Sequence, residues 1–308
     1  MEYQLTLPEQ FMGILTVYLL VTISAFFWGA NFVLAGPILA DLPPLWAAAM
    51  RFLLGAALMF IIAGTRKEKM LGLLKRHAPI YLLLGGVGIT GFNLFFFYAL
   101  QSTSANSAAL IMATNPLLTA LLAIGLLGER LTVRHLVALP VALIGVAVVI
   151  SQGDMNKLAS LSFAHGDLLM LAANLSWAMY NVLVRRYMPQ GSSIVNTSWI
   201  MAAGAILLVS VALGSGTHVS ALDEKASIAM LVMVVGGTVL AYLFWSIGIA
   251  RLGAARTSIF LNFVPVFAML VGVFLGSFPT SAQVFGGVLV LGGVTISMFP
   301  QRRMAVSK

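Results

Sequence analysis

Long uncharged apolar stretches alternate with short polar segments along almost the entire chain. A helix needs about 20 residues to cross ~30 Å of hydrocarbon at ~1.5 Å rise per residue. The pattern therefore predicts ten membrane-spanning helices, with borders marked by prolines, glycines and charged residues. They are placed at residues 12–36, 43–64, 79–100, 105–127, 133–151, 167–187, 194–214, 227–250, 255–276 and 282–299.

The basic residues are concentrated in every second polar segment, and this predicts an orientation because lysine and arginine stay preferentially on the cytoplasmic side. With the N-terminus inside, only Lys157 and Lys225 lie outside, and Arg51 lies within the second span. The cytoplasmic set is Arg66, Lys67, Lys69, Lys75, Arg76, Arg130, Arg134, Arg185, Arg186, Arg251, Arg256, Arg302, Arg303 and Lys308. We therefore expect both termini in the cytoplasm.

An internal repeat emerges when the chain is laid on itself with a shift of 149 residues. The matched pairs are Trp28 with Trp177, Val33 with Val182, Gly55 with Gly204, Gly88 with Gly237, and Pro116 with Pro265. A unit of five helices is odd, so the second copy enters the membrane from the opposite side. The predicted fold is an all-α integral membrane protein whose ten transmembrane helices form two inverted five-helix repeats, residues 1–152 and 153–308. Such repeats are typical of alternating-access carriers, although a duplication kept only for packing is the alternative.

Composition narrows the classes of protein to which the chain can belong. The chain is 60% hydrophobic and 8% charged, whereas soluble domains carry about 25% charged residues. The net charge of +8 is explained by membrane topology, because the basic residues lie between apolar spans and are not interleaved with aromatics as in a nucleic-acid site. With no cysteine and four scattered histidines, we expect neither a metal nor a cofactor. The N-terminal apolar run lacks a basic segment before it and is interpreted as a retained helix.

Polar and aromatic residues inside the spans are the candidate site, because polar groups in lipid must be paired or face protein or a water-filled cavity. They occur on spans one, three, four, six, eight and nine, at related places in the two halves. The predicted cavity-lining residues are Trp28, Asn31, Asn93, Tyr98, Met112, Asn115, Trp177, Tyr180, Asn181, Tyr242, Trp245 and Asn262. By contrast, Trp46, Tyr187 and Trp199 are expected to be interface anchors.

Two prolines at matched repeat positions, Pro116 and Pro265, are predicted to remove a helical hydrogen bond near mid-membrane. Each would free the carbonyl four residues earlier, at Met112 and Leu261, and would act either as a hinge and site lining or as a plain structural kink.

Charged residues near the spans have mainly structural interpretations. Arg51 is the intramembrane charge, and snorkelling outward or binding a freed carbonyl is favoured over holding a substrate carboxylate or gating the outer mouth. Asp167 is read as a helix cap and Glu129 as an interface charge. No carboxylate lies mid-membrane, so the sequence shows no carrier for protons, and facilitated export needs none.

Short motifs in both halves resemble a known family. They are FWGANF at 27–32, MRF at 50–52, NP at 115–116, LGERLT at 127–132, GDLL at 166–169 and the stretch from Trp177 to Arg186. In their order and spacing the chain resembles the ten-helix drug/metabolite transporter superfamily, of the EamA type, and within it bacterial exporters of amino acids, especially aromatic ones. The resemblance implies a central substrate cavity between the halves. One departure is Ser277, which stands where the family's usual motif has Glu, so a symmetric pair of glutamates is not expected.

The expected function is export of amino acids, aromatic or neutral, and related small metabolites through the inner membrane of a bacterium by alternating access. A small molecule and the lipid bilayer are the expected partners, and a monomer suffices. The same architecture also fits lipophilic drugs, nucleosides or sugars. A channel is a weaker alternative, and so is an intramembrane enzyme, for which neither a His-Glu-x-x-His nor a Gly-x-Ser-x-Gly motif is present.

Overall fold

The computed structural model describes residues 13–65, 70–99, 111–129, 133–151, 165–274 and 278–298, together with residues 102, 153, 154, 156, 159 and 276. Within these ranges the protein is entirely helical. The helices are α1 (Ile14–Asp41), α2 (Pro44–Thr65), α3 (Met70–Ala99), α4 (Asn115–Leu127), α5 (Val133–Ser151), α6 (His165–Tyr187), α7 (Ser193–Gly214), α8 (Glu224–Leu252), α9 (Ala254–Phe274) and α10 (Ser281–Met298).

Seven of the helices in the described ranges are long and apolar enough to cross a membrane, judged by length and composition: α1, α2, α3, α6, α7, α8 and α9. The other three contribute shorter apolar stretches, Ile111–Leu127, Leu136–Val149 and Ser281–Ile296. The prediction of an all-α membrane protein is therefore confirmed. The count of ten spans and the inverted arrangement stay predictions.

Two predicted helix borders differ from the structure. Helix α1 continues through Pro37 to Asp41, although the prediction ends it at residue 36. Proline lacks only its own donor, and the next turn still closes, since Leu42 N–H donates to the Ile38 carbonyl. Helix α3 begins at Met70, well before the predicted span, but a kink at His77 (φ −128°, ψ 16°) separates this first polar portion from the apolar one.

Some residues behind the orientation prediction lie outside the described residues. They are Arg66, Lys67, Lys69, Arg130, Lys157, Arg302, Arg303 and Lys308. The start of the fourth predicted span and Ser277 also fall outside them.

Helices α3 and α8 both contain a π-helical stretch, at Gly86–Gly91 and at Met233–Leu240. Such stretches are uncommon and occur often at functional sites. A Cβ added to Gly88 would lie 2.1 Å from the ring of Tyr180, and one added to Gly237 would lie 2.2 Å from Oδ1 of Asn31. The glycines in these stretches therefore allow α3 to approach α6, and α8 to approach α1, more closely than any other residue would permit.

Most helices of the first part of the chain, α1 to α5, pack against helices of the second part, α6 to α10. Helix α1 packs against α8 and α9, and α6 packs against α3 and α4. Helix α2 packs against α7 and the π-helical stretch of α8, while α5 and α10 pack mainly against each other. The main buried cluster contains residues of α1, α2, α3 and α5 and of α6 to α10, so the centre of the molecule is built from both parts of the sequence.

Candidate functional site

Five aromatic side chains meet at the centre of the helix bundle: Trp28, Trp177, Tyr180, Tyr242 and Trp245, hereafter the aromatic cluster. The ring centroid of Trp28 lies 4.8 Å from that of Trp245 and 5.4 Å from that of Trp177. Tyr242 lies 5.8 Å from Trp28 and 5.7 Å from Trp177, both edge to face. Tyr180 stacks on Trp177 at 5.1 Å. The structure thus brings five of the residues selected from the sequence, on α1, α6 and α8, together at one place.

Hydrogen bonds hold two of the indoles in place. Trp28 donates its Nε1–H to the carbonyl of Gly237 at 3.0 Å, within the π-helical stretch of α8. Trp245 donates to Oδ1 of Asn181 at 2.8 Å. Because a buried indole N–H has no water to bind, these acceptors fix the orientation of both rings. Trp28 remains partly exposed, whereas Trp177 and Trp245 are buried.

Two amide atoms beside the aromatic cluster have no hydrogen-bond partner among the described residues: Oδ1 of Asn31 and Nδ2 of Asn181. Asn31 lies one helical turn beyond Trp28, and Asn181 is the acceptor for Trp245. Asn181 is 0% exposed. A buried polar group without a partner is costly, so an acceptor and a donor beside a wall of rings suit a ligand that carries both kinds of polar group.

Two further rings extend the aromatic cluster. Phe92 of α3 lies 5.6 Å from Trp177, and Phe52 of α2 lies 5.5 Å from Tyr242. The sequence-based search missed both, because phenylalanines are frequent in this chain and only their contacts set these two apart.

Asn115 lies away from the aromatic cluster, in a network of buried amides. Its Nδ2 donates to the carbonyl of Asn174 at 2.9 Å and to Oδ1 of Asn174 at 2.6 Å, and its Oδ1 accepts from Thr119. Asn174 in turn donates to the Ile111 carbonyl and to Oγ1 of Thr114. The network ties α6 to the chain just before α4, which gives the amide of Asn115 a structural use in this conformation.

Both prolines lie just after an interruption of regular α-helix. Pro116 follows a turn at Thr114 and stands in the first turn of α4. Pro265 lies inside α9, in the first turn of its second α-helical part, after the 3₁₀ stretch Ile259–Asn262. In a first turn the missing N–H is not needed, so the prolines stabilise the restart of each helix. Their role as hinges stays a prediction.

The remaining predicted residues are dispersed. Asn93 is buried and donates to the Ile89 carbonyl at 2.7 Å. Tyr98 is 42% exposed at the end of α3, and Met112 packs on the small cluster around Met170. Asn262 is buried with no partner for either amide atom among the described residues.

Glu129, interpreted from sequence as an interface charge, joins two parts of the chain. Its Oε1 accepts from the N–H of Ala254 at 3.1 Å and its Oε2 from that of Ala255 at 3.3 Å. These are the first free N–H groups of α9, so the carboxylate caps that helix. Nearby, Arg186 donates to the carbonyl of Leu126 at 2.6 Å, which ties α6 to the end of α4. Sequence alone does not reveal a cap supplied from 125 residues away.

The site contains no group of three or more His, Asp or Glu side chains that suits a metal ion, as far as the described part of the chain extends. What it offers a ligand is aromatic faces and amide groups.

Comparison with known proteins gives a consistent picture. The model of the EamA-like transporter family matches residues 15–151 and again residues 164–299. "Uncharacterized transporter YyaM" of Bacillus subtilis is 38% identical over 286 residues, which cover 91% of this chain and 92% of that protein. A "Probable amino-acid metabolite efflux pump" of Salmonella typhimurium is 30% identical, with 88% and 91% covered. The "Aromatic amino acid exporter YddG" of Ancylobacter novellus is 25% identical, with 92% and 98% covered.

Proposed function

Because the chain belongs to the EamA-like transporter family and is therefore a multi-pass membrane transporter and not an enzyme, we propose that it exports amino acids, aromatic or neutral, and related small metabolites. The membrane is the inner membrane of a bacterium, with both chain termini in the cytoplasm. The names of two similar proteins, an amino-acid efflux pump and an aromatic amino-acid exporter, support this substrate class.

The aromatic cluster is the observation that carries the proposal. An apolar or aromatic side chain binds against rings by burial and edge-to-face contact, and each aromatic pair contributes about 0.5–1.5 kcal/mol beyond area burial. The unpaired Oδ1 of Asn31 accepts from an ammonium group, and the unpaired Nδ2 of Asn181 is a free donor for an oxygen atom of the substrate. Trp28 and Trp177 lie near the middle of α1 and α6, which is where a carrier places its substrate.

The ten helices are proposed to form two inverted halves, residues 1–152 and 153–308. Helix contacts support this arrangement, because the pairs correspond when α1 to α5 are exchanged with α6 to α10. The contacts of α1 with α8 and α9 match those of α6 with α3 and α4, and the π-helical stretches fall on matched positions of α3 and α8.

Close glycine contacts follow the same shift of 149 residues, which adds support at the level of single atoms. A Cβ on Gly55 would lie 2.8 Å from Thr238, and one on Gly204 would lie 2.6 Å from Ile89. Gly55 and Gly204 are a matched pair, and Ile89 and Thr238 are separated by the same shift. The matched contacts support two copies of one five-helix fold. A duplication kept only for packing would share them, so the transport assay below separates that alternative from a carrier.

Alternating access then works by rocking one half against the other around the aromatic cluster. The turn at Thr114 separates the helical residues 111–113 from α4, and the 3₁₀ stretch Ile259–Asn262 divides α9, so that the parts on either side bend separately. With the cytoplasmic orientation assigned above, Glu129 and Arg186 lie on the cytoplasmic side, and their bonds close that end.

Reconstituted protein tests the proposal. Liposomes that contain the purified protein are expected to release preloaded phenylalanine or tryptophan faster than empty liposomes, and the panel includes other amino acids, a nucleoside, a sugar and a lipophilic drug. Trp28→Leu is expected to raise KM for phenylalanine about tenfold, since it removes several ring contacts. Trp46→Leu is the matched control, because Trp46 lies at the exposed end of α2 and bonds the carbonyl of Thr217.

Two outcomes would contradict the proposal. If liposomes with and without the protein release every amino acid at the same rate, this substrate class is ruled out. Release of the drug, nucleoside or sugar alone assigns the same architecture to that class instead. Repeating the measurement with and without a proton gradient separates facilitated efflux from proton-coupled export.

A further inference from the structure

Arg51 is a cation inside an apolar helix. It lies on α2 seven residues after Pro44, at roughly 10 Å along the axis given ~1.5 Å per residue. It is partly buried, and its Nε is buried without a hydrogen-bond partner among the described residues.

Arg51 lies beside a ring that contacts the aromatic cluster. Its Cζ lies 4.6 Å over the ring of Phe52, and Phe52 contacts Tyr242 of the cluster at 5.5 Å. Helix α2 also contacts the Phe92–Ala99 part of α3 and the π-helical stretch of α8, so the helix that carries Arg51 packs against two helices of the proposed site.

The described part of the chain places its carboxylates elsewhere. All of them lie at or beyond helix ends: Asp41, Glu129, Asp154, Asp167, Asp223 and Glu224. Of these, Glu129 caps α9 and Asp223 caps α8. The arginine therefore has an aromatic face beside it and no opposite charge from the helix interiors that the structure describes.

A cation within a membrane helix that has no counter-charge is unfavourable, and it is retained there mainly where it serves transport. The planar guanidinium matches a carboxylate through paired N–H donors. We infer that Arg51 is the counter-charge for the carboxylate of the transported substrate, so that the site selects carboxylates over amines of the same shape. This inference rests on the proposed function and assigns a residue to its specificity.

Together with Asn31, this assignment makes recognition a three-point contact. The carboxylate binds Arg51, the ammonium group faces the unpaired Oδ1 of Asn31, and the side chain lies on the aromatic cluster. An α-amino acid satisfies all three points, whereas a deaminated acid satisfies two and an arylalkylamine also two. The deaminated acid makes the contact with Arg51 and the arylalkylamine does not, so a change at Arg51 should affect only the acid.

Binding of phenylalanine, 3-phenylpropionate and phenethylamine tests the inference. The purified protein is titrated with each compound, and its tryptophan fluorescence, which none of the three ligands shares, reports binding. Arg51→Gln is expected to weaken binding of phenylalanine and 3-phenylpropionate at least about tenfold and to leave phenethylamine unchanged, because it removes a charge-assisted contact. Arg51→Lys keeps the charge and should restore part of the loss. Arg76→Gln, at an exposed position of α3, is the matched control.

The inference is overturned if Arg51→Gln, eluting as a monodisperse folded protein, binds 3-phenylpropionate as tightly as the wild type. Where Arg51→Gln does not fold, Arg51→Lys decides, since an equal change for all three ligands overturns the carboxylate role. Phenylalanine export that Arg51→Gln leaves unchanged also overturns it while the proposed function stands. Conversely, Arg51-dependent binding of the carboxylates without amino-acid export keeps the site assignment and removes the transport proposal.

Discussion

The cap that Glu129 places on α9 allows a quantitative prediction. Replacing Glu129 by alanine removes both acceptors for the N–H groups of Ala254 and Ala255. Loss of a helix cap costs about 0.5–2 kcal/mol, and loss of a negative charge at a helix N-terminus costs about 0.3–1 kcal/mol. Glu129→Gln keeps one oxygen acceptor and removes only the charge. It should therefore lower stability less than Glu129→Ala does.

This cap joins the end of α4 to the start of α9, so its loss affects the observed arrangement as well as the helix. A loss of one to two kcal/mol changes the ratio of two conformations by a factor of about 5–30. We expect Glu129→Ala to lower Tm by on the order of 2–4 °C for each kcal/mol. We also expect it to alter the export rate, because the closed end opens more readily.

Tryptophan fluorescence during heating in detergent measures Tm directly, since the chain has five tryptophans. Glu224→Ala is the matched control, because Glu224 also lies in the first turn of a long helix. The reasoning is refuted if Glu129→Ala melts and exports like the wild type, or if Glu224→Ala lowers Tm as much.

Three other substitutions have expected outcomes. Gly88→Ala forces a Cβ into the ring of Tyr180 on α6 and should lower the free energy of unfolding by about 1–3 kcal/mol. Gly125→Ala, whose Cβ meets open space, is the control and should change it little. Equal melting temperatures of the two variants would contradict the close packing. Trp245→Phe removes the donor to Asn181 and should cost about 1–3 kcal/mol in the free energy of unfolding, which denaturation followed by circular dichroism measures, and an unchanged value argues against the bond. A single cysteine at Gln190, an exposed position between α6 and α7 in a chain without cysteine, should react with a membrane-impermeant thiol reagent only from the cytoplasmic side, and labelling from the periplasm alone would reverse the proposed orientation.

Helix positions follow from the sequence because lipid imposes a simple condition on it: a long apolar run must satisfy its own backbone. The helices from Pro44 to Thr65 and from Ser193 to Gly214 begin and end within a residue or two of the predicted spans. Pro37 misled the prediction, since a proline near a helix end costs one hydrogen bond and the helix still continues.

The aromatic cluster was predicted in its membership but not in its contacts. Trp28 and Trp177 stood out because the repeat matches them, and both meet at the centre. Asn115 was included as a polar residue within a span, yet it bonds Asn174, a residue that sequence analysis passed over although it lies one turn before Trp177. Which polar groups satisfy one another depends on how two helices are rotated, and a single sequence does not contain that angle.

The pair formed by α5 and α10 has a consequence for any movement of the molecule. A Cβ on Gly145 would lie 2.7 Å from the Gly286 carbonyl, and one on Gly293 would lie 2.8 Å from the backbone nitrogen of Ala142. Backbones this close leave no room for a side chain between the two helices. The contact joins an N-terminal helix to a C-terminal one, so the rocking proposed above would have to pivot about this pair and could not separate it.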